Sequence, residues 1–205
     1  MKDTILFGDC RETLSQIDEK VRMCVTSPPY YGLRNYGDES NQIGQEDTPE
    51  EYIQNLVDIF RSVRNCLSDD GTLWVNIGDS YYNYRPGKGQ ALVQQTVSNS
   101  KQDLPDKCAR RGNKLEGLKE KDLIGIPWML AFALRADGWY LRQDIIWHKP
   151  NPMPESVKDR CTKSHEYLFL LSKNKHYYYD NEAIKEPAKD WGTRDRTNGK
   201  YHNQG

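Results

Sequence analysis

Short apolar runs alternate with amphipathic stretches along much of the chain. Apolar runs that end at turn signals predict buried strands at 4–7, 21–26, 72–77 and 139–147. Apolar residues at three- and four-residue steps predict helices at 11–17, 49–67 and 127–134. The second of these has a cap at Thr48 and a proline at Pro49, and it ends before a turn at 69–71. Strand and helix alternate from the start of the chain, which is typical of an α/β domain with a parallel sheet and crossover helices.

The pattern changes in the middle of the chain and near its end. Residues 82–120 are polar and rich in Gly, Gln, Asn and Ser, so we expect an insert that leaves the core. Three prolines within 148–154 exclude regular structure there. Apolar runs at 167–171 and 176–179 predict a hairpin. We expect one catalytic domain over 1–187 and a poorly ordered tail over 188–205.

The composition argues against some classes of protein but gives no evidence for a particular binding partner. The 205 residues include 29 basic and 30 acidic side chains, so net charge gives no sign of nucleic-acid binding. Five cysteines lie far apart, with no C-x-x-C pair or nearby histidines, which argues against disulfides and a metal site. Without a signal peptide or a long apolar run, we expect a soluble protein of the reducing cytoplasm.

The candidate chemistry lies where the strand at 21–26 ends, at Ser27-Pro28-Pro29-Tyr30. Proline has a carbonyl but no N–H, and its φ is fixed near −65°. Two prolines beside a serine therefore form a stiff rim of hydrogen-bond acceptors, and the tyrosine adds a flat ring. Such a rim suits a planar substrate that carries an amino group, because oxygens accept its hydrogens while the ring stacks on it.

This stretch resembles the Ser-Pro-Pro-Tyr motif of the amino-group DNA methyltransferases, which methylate N4 of cytosine or N6 of adenine. Its continuation to Tyr36 resembles the family motif as well, and further segments agree in order at 8–10, 71–79 and 147–173. The resemblance implies a Rossmann-like, mainly parallel three-layer sheet, S-adenosylmethionine as the cofactor and double-stranded DNA as the partner. Serine at the first motif position favours cytosine N4 over adenine N6.

The resemblance also implies roles for individual residues. Ser27 Oγ and the Pro28 carbonyl accept hydrogen bonds from the amine, and Tyr30 stacks on a flipped base. Asp9 lies near the cofactor, although a turn after a strand explains Gly-Asp equally well. Residues that line the base pocket or bind phosphates, unless they belong to a solvated loop, are Lys149, Asn151, Arg160, Lys163 and His165. We interpret Asp79 as a turn residue and the tyrosines at 177–179 as packing residues.

The order of motifs resembles the permuted β group, in which the main cofactor motif, Asp-Pro-Phe-x-Gly-Ser-Gly, lies near the C-terminus. That motif is absent from these 205 residues. We therefore expect the first two-thirds of an enzyme that binds the cofactor weakly alone, and that self-associates or needs a complementing C-terminal fragment. Two alternatives stay open: a non-catalytic DNA- or partner-binding remnant, and a protein or RNA amino-methyltransferase.

Overall fold

The computed structural model describes residues 3–33, 41–82, 90–91, 109–110 and 115–187. Its helices are α1 (Cys10–Thr13), which continues into a 3-10 turn at Leu14–Gln16, α2 (Pro49–Cys66) and α3 (Ile126–Ala136). Its strands are β1 (Val21–Thr26), β2 (Leu67–Ile77), β3 (Gln90–Ala91), β4 (Ala109–Arg110), β5 (Tyr140–His148) and β6 (His165–Ser172).

Helix α2 forms as its sequence predicts. Thr48 precedes it, and its hydroxyl accepts a hydrogen bond from the Glu51 amide at 3.2 Å. Pro49 follows in the first turn, where its missing N–H costs no helical hydrogen bond. The predicted apolar stripe is buried in full: Tyr52, Leu56, Ile59, Phe60, Val63 and Leu67.

The main sheet has four strands in the order β1-β2-β6-β5. Strands β1 and β2 are parallel, whereas β2 with β6 and β6 with β5 are antiparallel. The α/β class is confirmed, but the sheet is mixed and not mainly parallel. The reason lies between β5 and β6, where residues 149–164 form an irregular loop; without a crossover helix, the two strands pair antiparallel.

Helices α2 and α3 pack on one face of this sheet. The shared core contains Leu73, Val75 and Ile77 from β2 and Phe169 and Leu171 from β6. The register aligns Met23 and Val25 of β1 with the other face, and their side chains are 57% and 65% exposed. The described residues thus build two layers, one sheet and one layer of helices, where we expected three.

The first predicted strand, at 4–7, is not present. Within the described ranges, residues 4–7 form no strand of either sheet, and the side chains of Ile5 and Phe7 are 76% and 88% exposed. The described chain therefore begins with an irregular segment and a short helix before β1, not with a β-α-β unit. An apolar run predicts a strand only where a neighbouring strand is available to pair with it.

Two further differences concern where a strand begins and which strands pair. Strand β2 begins at Leu67, so the predicted turn at 69–71 lies inside it, and an irregularity in its pairing with β1 accommodates the extra residues. The predicted hairpin at 167–179 does not form, because β6 instead pairs with β2 and β5, and residues 176–179 lie outside the sheet. The Tyr178 amide donates to the Asp70 carbonyl at 3.0 Å.

Several predictions fall outside the described residues: the motif continuation at 34–36, most of the polar insert and the tail at 188–205. Within the insert, β3 and β4 form a two-residue antiparallel ladder. Among the helices of the described ranges, none has the length and apolar character needed to cross a bilayer.

Candidate active site

Four chain segments meet at one edge of the sheet. Strands β1 and β2 are parallel, so their carboxyl ends, followed by Ser27 and Gly78, lie at the same edge. Strand β6 runs antiparallel to β2, so it begins at this edge, with Glu166 as its second residue. Strand β5 ends there in the same way, followed by Lys149. Residues from distant parts of the sequence thereby come together.

The predicted rim lies at this edge. Ser27 is exposed and Pro28 is buried. The Pro29 carbonyl accepts a hydrogen bond from the Tyr52 hydroxyl at 2.8 Å. Tyr52 is fully buried, and burial raises the pKa of its hydroxyl well above the usual value, so it remains a donor. The rim is therefore fixed from below by helix α2, while the serine hydroxyl stays accessible.

Tyr30 is held at its hydroxyl and along one edge of its ring. Its hydroxyl lies 2.8 Å from Asn76 Oδ1 and 3.0 Å from Glu166 Oε2, and Ser27 Oγ lies 3.5 Å away. The ring edge rests against Gly78, where an added Cβ would lie 2.6 Å from Tyr30 Cε2. Glycine at position 78 therefore provides the space that the ring occupies.

Two residues of this network were missed by the sequence analysis. Glu166 contacts both Tyr30 and the ammonium of Lys149, while Asn76 contacts Tyr30. A signal for Asn76 exists, since it is a polar side chain near the end of an apolar strand. Glu166 lies in the segment at 147–173 that carries the family resemblance, but nothing in the sequence assigned it a role. Its role depends on the antiparallel pairing of β6.

Asp79 connects the site edge to helix α3. Its Oδ1 accepts hydrogen bonds from the amides of Ser80, Gly125 and Ile126 at 2.9, 3.0 and 3.0 Å. The last two amides lie at the N-terminus of α3, where they lack partners within the helix. Gly125 has a positive φ of 87° and no side chain to cap the helix, so the carboxylate supplies the cap from outside.

Asp9 follows no strand, contrary to our expectation, because residues 4–7 do not join the sheet. Its side chain caps helix α1 by accepting from the Arg11 amide at 2.8 Å. The Arg11 guanidinium donates to both carboxylate oxygens, which holds the pKa of Asp9 below its usual value. The carboxylate is ionised and partly exposed, with a side-chain exposure of 38%.

The loop at 149–164 carries most of the other predicted residues. Arg160 lies over the Tyr81 ring, with its guanidinium carbon 3.9 Å from the ring centre, and forms an ion pair with Glu155. Lys121 and Asp159 form another ion pair at 2.7 Å. These residues border a cavity of about 640 Å³. Its lining consists of Tyr81, Tyr82, Glu120, Lys121, Val157, Lys158, Asp159 and Arg160.

The three remaining predicted residues differ in their surroundings. Asn151 is exposed, and the His165 ring contacts Tyr167 edge-on at a centroid distance of 5.4 Å. The Lys163 ammonium is buried and has no hydrogen-bond partner in the described part of the chain. Burial lowers its pKa, although Asp79, Glu166 and Glu155 oppose that shift.

The tyrosines at 177–179 lie outside any hairpin. Tyr178 and Tyr179 are 51% and 46% exposed. The guanidinium of Arg22 lies 4.7 Å from the centre of the Tyr178 ring, and that of Arg142 lies 5.5 Å from the Tyr177 ring. These rings thus pack against the stems and heads of arginines at the surface.

The site is built to position a ligand and carries no activated nucleophile. Across the described ranges, no group of three His, Cys, Asp or Glu side chains is arranged to hold a metal ion. In the described part of the chain, no base lies beside the Ser27 hydroxyl, and its contact with the Tyr30 hydroxyl is long, at 3.5 Å. What the edge offers is an accessible hydroxyl oxygen and a fixed aromatic ring above a stiff, buried turn.

Comparisons with known proteins agree on one family. The family model described as DNA methylase, of the N6/N4 type, matches residues 21–204. The Type II methyltransferase M.SmaI of Serratia marcescens is 56% identical over 91% of this chain, and M.Cfr9I of Citrobacter freundii is 50% identical over 94%. These matches cover 61% and 62% of the relatives, so the chain spans about three fifths of their length.

Solved structures agree on the fold. The cytosine-N4-specific PvuII DNA methyltransferase superposes with a TM-score of 0.55 at 16% identity, over 84% of this chain and 50% of that chain. A putative DNA modification methylase of Thermus thermophilus, solved with S-adenosyl-L-methionine, gives 0.53 at 21% identity, over 89% of this chain and 55% of that chain. At these identities the likeness concerns the fold alone.

Proposed function

The chain belongs to the DNA methylase family, and on that premise we propose that it takes part in methyl transfer from S-adenosylmethionine to the exocyclic amine of a DNA base. One observation carries the proposal: an accessible Ser27 hydroxyl and a fixed Tyr30 ring lie together above the buried Pro28 at the sheet edge. Both features are what an amine on a planar ring requires.

The rim acts by positioning the amine. The lone pair of an exocyclic amine is delocalised into its ring, which makes the nitrogen a poor nucleophile. Ser27 Oγ and the Pro28 carbonyl oxygen accept the two N–H hydrogens, which favours a tetrahedral nitrogen and directs its lone pair at the methyl group. The Pro29 carbonyl serves a different purpose, because its hydrogen bond from Tyr52 holds the turn in place.

S-adenosylmethionine supplies an activated methyl group on a positively charged sulfur. Among the described residues, Asp9 fits a role in holding it, because its carboxylate is ionised, partly exposed and able to accept from an ammonium or a hydroxyl. Arg11 occupies that carboxylate here, so a ligand at Asp9 has to share or displace the guanidinium.

The substrate we propose is double-stranded DNA, with the target base taken out of the duplex to reach Ser27. Cytosine N4 is favoured over adenine N6, because serine precedes the two prolines in this motif. The 149–164 loop begins at the same edge, after β5, and its exposed Asn151 can contact the strand around the base. DNA as the substrate agrees with the cytoplasmic location expected from the sequence.

The test is a methylation assay followed by mass spectrometry of the nucleosides. Because the chain spans about three fifths of its relatives, we use the 205-residue chain and a chimera in which it replaces the matched region of M.SmaI. We expect N4-methylcytosine from the chimera. N6-methyladenine instead would overturn the choice of base, and methylated protein or RNA without methylated DNA would overturn the choice of substrate. No methylation by a folded chimera would contradict the proposal as a whole.

A further inference from the structure

We propose that Glu166 is a positioning residue that fixes the Tyr30 ring at the rim, and that Lys149 in turn fixes Glu166. The inference deepens the proposed function and rests on it for the link to methyl transfer. It assigns a task to two side chains from β6 and from the end of β5, far from the rim in sequence.

The first step concerns the Tyr30 hydroxyl, which has a single hydrogen to donate. Among the described residues, Asn76 Oδ1 at 2.8 Å and Glu166 Oε2 at 3.0 Å lie near it as acceptors, with Ser27 Oγ farther away at 3.5 Å. A hydrogen bond to an ionised acceptor is roughly twice as strong as one to a neutral acceptor, so the carboxylate is the stronger anchor. When the Asn76 amide is rotated by 180°, its NH₂ group donates to the Tyr30 hydroxyl oxygen. The hydroxyl hydrogen is then donated to Glu166, so both hydrogen bonds form together.

The second step concerns the carboxylate, whose two oxygens have different partners. The Lys149 ammonium contacts Oε1, which leaves Oε2 to Tyr30. The side chains of Glu166 and Lys149 are only 19% and 41% exposed, so water screens this ion pair less than one at the open surface. Next to it, the Lys149 amide donates to the Ser164 carbonyl at 2.7 Å and closes the base of the loop.

The third step concerns the space around the ring. A Cβ at position 78 would lie 2.6 and 2.9 Å from two ring carbons of Tyr30, so the ring fits against Gly78 and leaves no room for a larger residue. With its edge against Gly78 and its hydroxyl bound at Glu166, the ring is held at two points. Because Tyr30 is the last residue of the rim, holding its ring also holds the rim.

The Tyr30 hydroxyl can be observed directly in the 205-residue chain. We would label tyrosine at Cζ with carbon-13 and record spectra in a mixture of H₂O and D₂O, with Tyr30 assigned by Tyr30→Phe. A hydroxyl held by a carboxylate exchanges slowly and gives separate signals for its protonated and deuterated forms. We expect two signals for Tyr30 in the wild type and one averaged signal in Glu166→Gln. Glu182→Gln, which removes an exposed ion pair with Lys185, is the matched control.

A single averaged Tyr30 signal in the wild-type chain, or two signals that persist in Glu166→Gln, would overturn the assignment. This readout needs neither cofactor nor DNA, so it stands even if the proposed function fails. Circular dichroism of each variant verifies that the fold is retained, and Lys149→Met provides a second variant that should weaken the same pair of signals.

The link to methyl transfer is tested in the M.SmaI chimera. We expect Glu166→Gln to lower kcat about tenfold with little change in KM for DNA, because the ring is misplaced while the DNA contacts remain. In a Tyr30→Phe background the same substitution should have almost no further effect, since the hydroxyl that it holds is gone. Two fully additive losses would contradict action through Tyr30. An inactive parent chimera would count against the proposed function alone.

Discussion

The carboxylates at the site edge are already engaged by the protein itself. Asp79 caps α3 and Glu166 binds Lys149, while the Asp9 carboxylate, on the segment before β1, binds Arg11. None of them is left to act as a base for the amine, whose proton is in any case acidic enough to leave once the nitrogen is methylated. At the residue scale, this agrees with our proposal that the uncharged acceptors of the rim contact the reacting amine.

Ser27→Ala removes one of those acceptors and leaves the Pro28 carbonyl and the fold in place. Loss of one preorganised hydrogen bond of this kind costs about 2.7–4 kcal/mol, or roughly a hundred- to a thousandfold in rate. We expect that loss in single-turnover methylation by the chimera, with DNA affinity within about twofold of the parent by fluorescence anisotropy. Turnover close to the parent rate would remove Ser27 from the mechanism. Ser15→Ala, on the 3-10 turn, is a matched control.

Lys163→Met should make the protein more stable. The buried ammonium lacks a hydrogen-bond partner in the described residues, and an unsatisfied buried donor costs about 1–3 kcal/mol. For a chain of this size, a gain of about 1 kcal/mol raises Tm by roughly 2–4 °C in a calorimetric scan. Exposed Lys158→Met serves as the control, and an equal or lower Tm for Lys163→Met would contradict the expectation.

The pH dependence of that gain has a definite sign. The pKa of Lys163 is lowered in the folded protein by burial, so the unfolded chain binds the proton more tightly. At pH values below the folded-state pKa, burial of the charged ammonium lowers the stability of the folded protein by its full amount. This loss of stability becomes smaller as the pH rises from the folded-state pKa towards the ordinary pKa of 10.5. The difference in Tm between Lys163→Met and the wild type should therefore shrink as the pH is raised.

At the scale of single elements, α3 depends on a carboxylate from outside its own sequence. Asp79→Ala leaves the Gly125 and Ile126 amides without their acceptor, and loss of a helix cap costs about 0.5–2 kcal/mol. We expect the urea midpoint to fall accordingly. Asp79→Asn keeps an oxygen but not the charge, so it should lose less. Identical midpoints for Asp79→Ala and the wild type would show that the cap contributes nothing.

Elements that carry their own local signals were predictable from sequence. Helix α2 has its cap, its proline and its apolar stripe within one window, and all three are confirmed. Strand β1 and helix α3 are confirmed in the same way. The predictions of a strand at 4–7 and of a hairpin at 167–179 were wrong. A strand forms only by pairing with another strand, and that pairing depends on the tertiary structure.

The same distinction applies to the site. The rim is contiguous in sequence, so Ser27 and its neighbours could be predicted together, and their roles stay predictions. Glu166, Asn76 and Gly78 could not be placed at Tyr30 from sequence, because their meeting requires β2 to pair with β1 and β6 to pair with β2. The contact between Asp9 and Arg11 is local in sequence. The sequence pattern is nevertheless the same for an Asp9 that caps a helix and for one that binds a cofactor.

At the scale of the whole molecule, the sheet is covered on one face by helices and exposes apolar side chains on the other. Met23 and Val25 belong to β1, an edge strand, and are more than half exposed. Apolar surface on an edge strand promotes pairing with other chains. The sequence analysis predicted self-association because strands were expected to be missing from the sheet edge, and self-association stays a prediction.

We expect the 205-residue chain to sediment as a concentration-dependent mixture of species. Val25→Lys should shift that mixture towards monomer, because a charge on the exposed face of β1 opposes burial there. Phe132→Lys is the matched control, since Phe132 is 48% exposed but lies on the helical layer. A single monomeric species in sedimentation velocity at every concentration would contradict this prediction.

The hydrogen bond between Tyr30 and Glu166 joins residues separated by 136 positions. In addition, β6 is the last strand of the main sheet in the chain but occupies an inner position within it. During synthesis, β1 and the rim therefore leave the ribosome long before the strand that holds Tyr30 in place. Contacts between residues so far apart in sequence form late and slow folding. The order of events follows from the topology: the rim forms first, and its geometry becomes fixed only when β6 inserts between two strands that are already made.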